Sequence, residues 1–480
     1  VSPDVSATRS PTALRLAAFV LMLGAFYATF ARVALHGFPF SGDEYSTVLQ
    51  AELFARGKLS SPSPPHAELL RVDHVLMDDG VRSKYPPGAS ALLALGVRAS
   101  VPWIVTPLEA TLALAAIAFA AWRSLGEREA LVATGLLGAA PLFAWQAATF
   151  YSHTAATMFL AAAFAAVIEW ARREQAWKLV LAGIALGGAL LTRPLDAAIF
   201  FVALVSLRSL PALVWTGAGI APFVALLLAY QSAQFGSPFA DGYHAYEPTF
   251  RAIYGSDTGA HAVALSYLYR PDHLWNHLDI LRALVVDWTV PGTALVALLG
   301  WLSLRGRRET SVAARLSVAL VAVQIASLFV TIGGFDDGAR PRYLSTALVP
   351  LAWLGAAGWA GAADMLRSRL PIAALRTVGA LVWVLPVIQL SAVLVERTPA
   401  LWVREGLEEA VRREGIRDGV VVIRARWPTR YARNGPFFDR PVLYVSAPPP
   451  MPASAVGEAF PGRPLFEATE GERWSLVRVR

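Results

Sequence analysis

FPFSGDEYSTVLQAELFARG, residues 38–57, and RSKYPPG, residues 82–88, bracket the first long polar segment of a chain that is otherwise mostly apolar. Asp43 and Glu44 follow directly on the first apolar run, LRLAAFVLMLGAFYATFARVAL, and Lys84-Tyr85-Pro86-Pro87-Gly88 stands just before the next. Both ends of loop 34–87 therefore return to one face of a membrane. Charged groups held at a bilayer surface carry function more often than those on a soluble surface.

The 480 residues are 55% hydrophobic and only 16% charged, where a soluble domain carries about 25% charge. Apolar runs of roughly the 17–25 residues that cross a bilayer recur through residues 12–395. The class is an all-α polytopic membrane protein. The first run is too long for a signal-peptide core and is read as a retained helix. Cysteine is absent, which excludes disulfides, thiolate metal sites and cysteine nucleophiles.

The net charge of +7 matters less than its placement. Arg9 and Arg15, Arg123 and Arg128, Arg172, Arg173 and Lys178, Arg305, Arg307 and Arg308, and Arg367, Arg369 and Arg376 fall between alternate apolar runs. Short basic loops mark the cytoplasmic side. A nucleic-acid footprint needs one continuous basic face, so no nucleic acid is expected as a partner.

Taken in order, the runs predict about eleven crossings of bilayer length: residues 14–33, 101–122, 129–148, 152–170, 177–191, 194–208, 212–230, 284–303, 311–332, 343–361 and 373–395. Residues 88–97 are too short to span and are read as a re-entrant half-helix. Reading them as a crossing would put every later arginine cluster outside, against the positive-inside rule. The N-terminus is then cytoplasmic, and loops 34–87 and 231–282 are external. Residues 396–480 change character: a charged amphipathic stretch, LWVREGLEEAVRREG, precedes GVVVIRA, PVLYVSA, PLFEAT and WSLVRV at strand length, separated by Gly and Pro. The domains expected are thus 1–395 in the membrane and 396–480 as a small extracytoplasmic α/β domain.

This topology gathers most histidines and the loop carboxylates on the outer face, and leaves arginines on the other. Asp43–Glu44 is the acid–base candidate: a partly desolvated carboxylate can hold a raised pKa and take a proton from a hydroxyl. One of the pair acts, and the other orients or binds a cation. The plain alternative is an acidic cap on the following helix. Lys84, followed by Tyr85, precedes a half-helix with Pro87 in its first turn, and its ammonium plus exposed amides suit a phosphate; its alternative is a lysine snorkelling at the interface. Arg193, Arg340 and Arg342 stand at outer helix starts, and guanidinium forks fit phosphate oxygens. Tyr151, His153, Asp196, Tyr243, His244 and Arg270 add candidate substrate contacts. Asp43, His153, Asp73 and His74 have metal-ligand chemistry without a strict metal signature, which leaves a divalent cation open as cofactor.

SGDEY after the first helix, a long first external loop, KYPPG, then YSHT and TRP at later helix ends make a pattern that resembles the membrane-embedded C-type glycosyltransferases. The resemblance is to bacterial relatives of the dolichyl-phosphate-mannose protein mannosyltransferases and of the aminoarabinose transferase that modifies lipid A. It covers about residues 12–395. It implies a bacterial inner-membrane enzyme, working as a monomer, that moves a sugar from a polyprenyl-phosphate donor to a lipid, glycan or protein acceptor on the extracytoplasmic side. The family's first-loop acid is matched by Asp43 and its phosphate-binding lysine by Lys84; many relatives carry an acid where this chain has His153. Inverting displacement needs one carboxylate, because phosphate leaves without protonation, unlike the two-carboxylate glycosidases. A lipid-linked glycan ligase would share the outward phosphate site. A secondary transporter would instead want charge near the bilayer midplane.

Overall fold

The computed structural model describes residues 11–254, 271–305, 310–331, 340–367, 369, 371–446 and 451–480. Among these, five helices are long and apolar enough to cross a membrane: Ala13–Ala34, Pro102–Ser124, His153–Arg173, Leu210–Phe235 and Arg342–Arg367. A sixth follows if Glu127–Gly138 and Pro141–Ala147, bent by 69° at a short break, form one span. The expected count of about eleven is therefore wrong.

The physical reason is length. The runs at 177–191, 194–208 and 284–303 become the apolar helices Ala176–Thr192, Pro194–Leu207 and Thr293–Leu304, all shorter than a bilayer-crossing helix. The run at 311–332 forms the helix Ser311–Thr331. The run at 373–395 does not end at a membrane edge. It belongs to one helix, Ile372–Arg413, that continues without a break into the C-terminal region. Hydropathy measures how apolar a run is, and the Pro and Gly breaks decide how far it extends.

The bend in the run at 129–148 has an identifiable cause. Pro141 opens the second half of the pair, and a proline has no N–H for the preceding turn. The neighbouring Leu142 amide donates instead to the Trp288 carbonyl at 3.1 Å, so a backbone group freed inside the bundle is satisfied by the bend that follows the Pro271–Val286 helix. Alanines dominate the bundle core, including Ala110, Ala113, Ala133, Ala161 and Ala189. Small side chains let helices approach closely where lipid supplies no hydrophobic drive. Leu14, Leu21, Leu210 and Val214 stay exposed on helix exteriors, as a lipid-facing surface requires.

Residues 88–97 lie in the 12-residue helix Pro87–Arg98, which has a proline in its first turn. Outside the bundle, Val75–Leu76 and Arg82–Ser83 form a short antiparallel ladder. In the C-terminal region a four-stranded sheet runs in the order Val442–Val445, Gly419–Arg424, Leu465–Thr469, Ser475–Arg478. The first three strands are parallel and the last is antiparallel. Its core is shared: Tyr45, Leu49, Leu53, Leu70, Val72 and Val81 from the first loop pack in one cluster with Leu407, Val420, Val421, Tyr444 and Trp474. The loop and the C-terminal sheet thus bury their apolar surface against each other.

Among the described residues, arginines of several clusters pair with carboxylates at helix ends. Glu169, near the end of the His153–Arg173 helix, meets Arg172, Arg123 and Lys178 at 2.8, 2.9 and 3.0 Å, with Arg173 at 3.9 Å. Asp364 there pairs with both Arg128 and Arg367.

Candidate active site

Ser41 begins the Gly42–Ala55 helix with a complete capping box: its hydroxyl accepts from the Glu44 amide at 3.1 Å, and Glu44 Oε2 accepts from the Ser41 amide at 2.9 Å. The other Glu44 oxygen accepts from the Phe150 amide at 3.0 Å. Glu44 is buried with both oxygens in use, so it is the structural member of the acidic pair. The S-x-x-E spacing of Ser41 and Glu44 is the signature of this cap, and that spacing alone is enough to tell the two carboxylates apart.

Asp43 points elsewhere. Tyr85 Oη donates to its Oδ1. Its Oδ2 lies 3.8 Å from His74 Nε2 and 3.9 Å from Arg342 Nη1. Burial pushes the Asp43 carboxyl up, but Arg342, His74, the Tyr85 hydroxyl and Lys84 together hold it well below the usual carboxylate range. The raised pKa expected from desolvation is thus corrected: cations outnumber the carboxylate, and the group stays ionised.

Lys84 is buried beneath three tyrosines, with Nζ 4.8, 5.2 and 5.3 Å from the ring centres of Tyr246, Tyr85 and Tyr243. Such faces attract a cation that has lost its water. Burial pushes the ammonium down to about 8, against the opposing pull of Asp43 and Asp73. His74 is held nearby in a left-handed conformation, φ 63°, by bonds from its amide to Tyr246 Oη at 2.9 Å and to its carbonyl from Ser46 Oγ at 2.6 Å and the Lys84 amide at 3.2 Å. Backbone strain of this kind persists only where the surroundings enforce it. Burial, and then the Lys84 charge, push the imidazole down to about 4, so it is neutral near pH 7.

Two glycines allow these walls to meet. A Cβ on Gly42 would lie 2.5 Å from Asp73 Cβ, and one on Gly242 would lie 2.3 Å from the Lys84 carbonyl. The first seats the acidic helix on the Asp73–His74 turn, and the second seats the Gly242–Tyr254 helix, with Tyr243 and Tyr246, on Lys84.

Arg342 forms the third wall. Its guanidinium lies 5.1 Å from the ring centres of both Tyr151 and Tyr343, and Nη2 donates to Tyr343 Oη at 3.2 Å. Arg193 covers Tyr343 at 5.6 Å and is bound to Asp196 at 2.6 Å. His153 is buried between the Tyr151 and Tyr343 rings, and neither ring nitrogen has a hydrogen-bond partner among the described residues. Of the expected site residues, Asp43, His74, Lys84, Tyr85, Tyr151, His153, Arg193, Tyr243 and Arg342 therefore lie in one connected cluster, with Asp196 behind Arg193.

Others lie elsewhere. His244 is exposed and bonded to Asp241 at 3.0 Å. Asp73 is buried and turned to Arg430 at 3.7 Å. Arg340 opens the 3-10 helix Arg340–Ala347; Arg270 lies outside the described residues. Sequence reasoning missed Tyr246 and Tyr343. Tyr243 and Tyr246, three apart, share a helix face, and that spacing was a readable signal; Tyr343 carried none.

Among the described residues no three His, Cys, Asp or Glu side chains gather around one point as metal ligands. Lys84 and Arg342 stand beside Asp43 where a divalent ion would need further carboxylates, so the residues present do not fit the Asp43, His153, Asp73 and His74 set.

No protein-family model matches the chain, and no curated protein matches it in sequence. Solved structures are similar in fold. ArnT from Cupriavidus metallidurans bound to undecaprenyl phosphate gives a TM-score of 0.57 at 12% identity, covering 96% of this chain and 98% of that one. The apo state of ArnT gives 0.59 at 13% identity over the same shares. The Archaeoglobus fulgidus oligosaccharyltransferase in complex with Zn and sulfate gives 0.51 at 14%, covering 87% of this chain but only 61% of that one. The chain therefore shares the fold of ArnT, in line with the resemblance that SGDEY and KYPPG carried.

Proposed function

We propose that the protein is an inverting glycosyltransferase that moves a sugar from a polyprenyl-phosphate donor to an acceptor hydroxyl at the extracytoplasmic face of a bacterial inner membrane. The observation that carries this reading is the placement of Lys84 and Arg342 on either side of an ionised Asp43, in a chain whose fold is that of ArnT, which was solved with undecaprenyl phosphate. Residues 396–480, together with loop 34–87, form the extracytoplasmic part.

In this mechanism the acceptor oxygen attacks the anomeric carbon from the face opposite the lipid phosphate. The new carbon–oxygen bond forms as the bond to the phosphate oxygen breaks, and the polyprenyl phosphate leaves with the electron pair. Asp43 orients the hydroxyl and receives its proton. A carboxylate held so far down is a weak base, and that suits a late transfer, once the attacking oxygen has begun to bond and become acidic. Lys84 and Arg342 stabilise the departing phosphate where charge develops. Tyr85 holds Asp43, Tyr151 carries Arg342, and Arg193, tied to Asp196, adds positive potential at the cluster's edge. Tyr243, over Lys84, and His153, between Tyr151 and Tyr343, are the residues assigned to contact the sugar.

The test is mass spectrometry of lipids and envelope glycans from cells with and without the protein, with the anomeric configuration of the difference product assigned by NMR. A glycoform that depends on the protein and is inverted relative to its donor is expected. Retained configuration, or no undecaprenyl phosphate binding by the purified chain in native mass spectrometry, overturns the reading.

A further inference from the structure

The segment Pro428–Phe437 of the C-terminal region, PTRYARNGPF, is buried between the sheet and the first loop. Asn434 fixes it to the sheet: its Nδ2 donates to the Tyr444 carbonyl at 2.8 Å and its Oδ1 accepts from the Tyr444 amide at 2.9 Å. From there the segment follows the Gly42–Ala55 helix. Tyr45 Oη donates to the Asn434 carbonyl, and Ser61 Oγ to the Pro436 carbonyl. Farther along, Arg56 lies 4.2 Å from the Phe437 ring centre and pairs with Asp439 at 3.7 Å.

Two arginines of this segment sit behind the candidate site. Arg433 is 3% exposed and lies 4.6 Å from the Tyr45 ring centre and 5.6 Å from that of Phe38. Tyr45 directly follows Asp43 and Glu44 in the first turn of the Gly42–Ala55 helix. Arg430 pairs with Asp73 at 3.7 Å, while the Asp73 amide donates to the Thr429 carbonyl at 3.4 Å; Asp73 is the residue next to His74. Arg430 thus pairs with the carboxylate beside His74, and Arg433 packs on the residue that follows Glu44; Asp43 and His74 face each other across 3.8 Å.

We propose that the C-terminal region is a working part of the site, with Arg433 and Arg430 as positioning residues that act through Glu44 and Asp73 on Asp43 and His74. This rests on the glycosyltransferase reading for its effect on transfer, and on geometry alone for its effect on the site walls. Glu44 joins two of those walls, because one oxygen holds the turn that carries Asp43 and the other holds Phe150, beside Tyr151 and His153. Burial pushes the Glu44 carboxyl up, while its amide partners and Arg433 oppose that. With the Arg433 guanidinium gone, the Tyr45 ring loses its packing partner, the turn beside it loosens, and the bonds that Glu44 makes to Ser41 and Phe150 are weakened. The wall that carries Tyr151 then separates from the turn that carries Asp43.

The chain has no native cysteine, so a single Ser152→Cys reports on the wall. In the full chain in nanodiscs, its labelling by a membrane-impermeant thiol reagent should rise about tenfold when Arg433→Met is added, the scale of one lost charge-assisted bond. Arg433→Lys should restore parental labelling, and Arg433→Met should add nothing in a Glu44→Gln background. Sugar transfer in cells should fall about tenfold in Arg433→Met and recover in Arg433→Lys, with undecaprenyl phosphate binding unchanged. Equal labelling in parent and Arg433→Met overturns the proposal, as does failure of Lys to rescue. If the parent fails to bind undecaprenyl phosphate, the functional reading falls, while the labelling comparison still decides the role of Arg433.

Discussion

Asp43, beyond the His153 end of the His153–Arg173 helix, and Glu169, near its other end, are both carboxylates ringed by cations. Glu169 is closed: three cations reach it at 2.8–3.0 Å, within hydrogen-bond distance. Around Asp43 the cationic partners stand off, with Arg342 at 3.9 Å and Lys84 turned into its tyrosine cage. One cluster neutralises itself, as a topology anchor does. The other holds its positive charge at a distance from the carboxylate, and this is the condition for receiving an anion. Counting charges finds both clusters, while distances separate an anchor from a site.

The contrast is most exposed to test at Asp43. Asp43→Asn keeps the shape and should leave folding intact, while transfer falls by roughly 10²–10⁴-fold; near-parental transfer at saturating donor would remove Asp43 from the chemistry. At Lys84 the effect is on binding. Lys84→Met should cost roughly 2–5 kcal/mol of undecaprenyl phosphate affinity, as loss of a desolvated charge partner does. Because Lys84 is charged below about 8, parental affinity should fall as pH rises through that value, and Lys84→Arg should abolish the fall. A pH-independent affinity from 7 to 9 would place the phosphate elsewhere.

Glu169→Gln tests the other end. It should lower stability by about 1.5–3 kcal/mol, the scale of hydrogen bonds to a charged group, and leave transfer per folded molecule unchanged; a specific loss of transfer would make the anchor part of the machinery. The last prediction is of no change at all. Asp43 is held ionised and His74 is already neutral, at about 4, so transfer should be flat between pH 5.5 and 7. A limb near 6.5 would mean that His74 carries charge in the working enzyme.

Some of this site was legible in the sequence because the signals are local. An acidic helix start after the first apolar run and a Pro in the first turn of the next helix are written within a few residues, and the return of both loop ends to one membrane face brought Asp43 and Lys84 to one place. The tyrosine cage was partly legible: Tyr85 and Tyr243 were found, while Tyr246 was not. Arg430 and Arg433 were illegible, because their partners Asp73 and Glu44 are distant in sequence and nothing periodic connects them. The span count failed for a different reason. Apolar composition is shared by a crossing helix and a short one packed beside it, and the breaks at Pro141 and at Arg193-Pro194 mattered more than hydropathy. Asp43 itself was found, but the direction of its pKa depends on Arg342, far along the chain, and was misread.

The shared core of loop 34–87 and the C-terminal sheet also has a consequence in time. Leu49, Leu53, Val72 and Val81 leave the ribosome long before Val420, Val421 and Trp474 exist to cover them. At about 5–20 residues per second, the gap is on the order of 20–70 s. Through that interval half a core stands outside the membrane with its other half not yet made. Nascent chains stalled ahead of residue 419 should therefore present this loop to proteases and holdase chaperones, and chains extended past the Ser475–Arg478 strand should close it. Maturation of the site then waits on the strands from Gly419 onward, which are made long after Asp43.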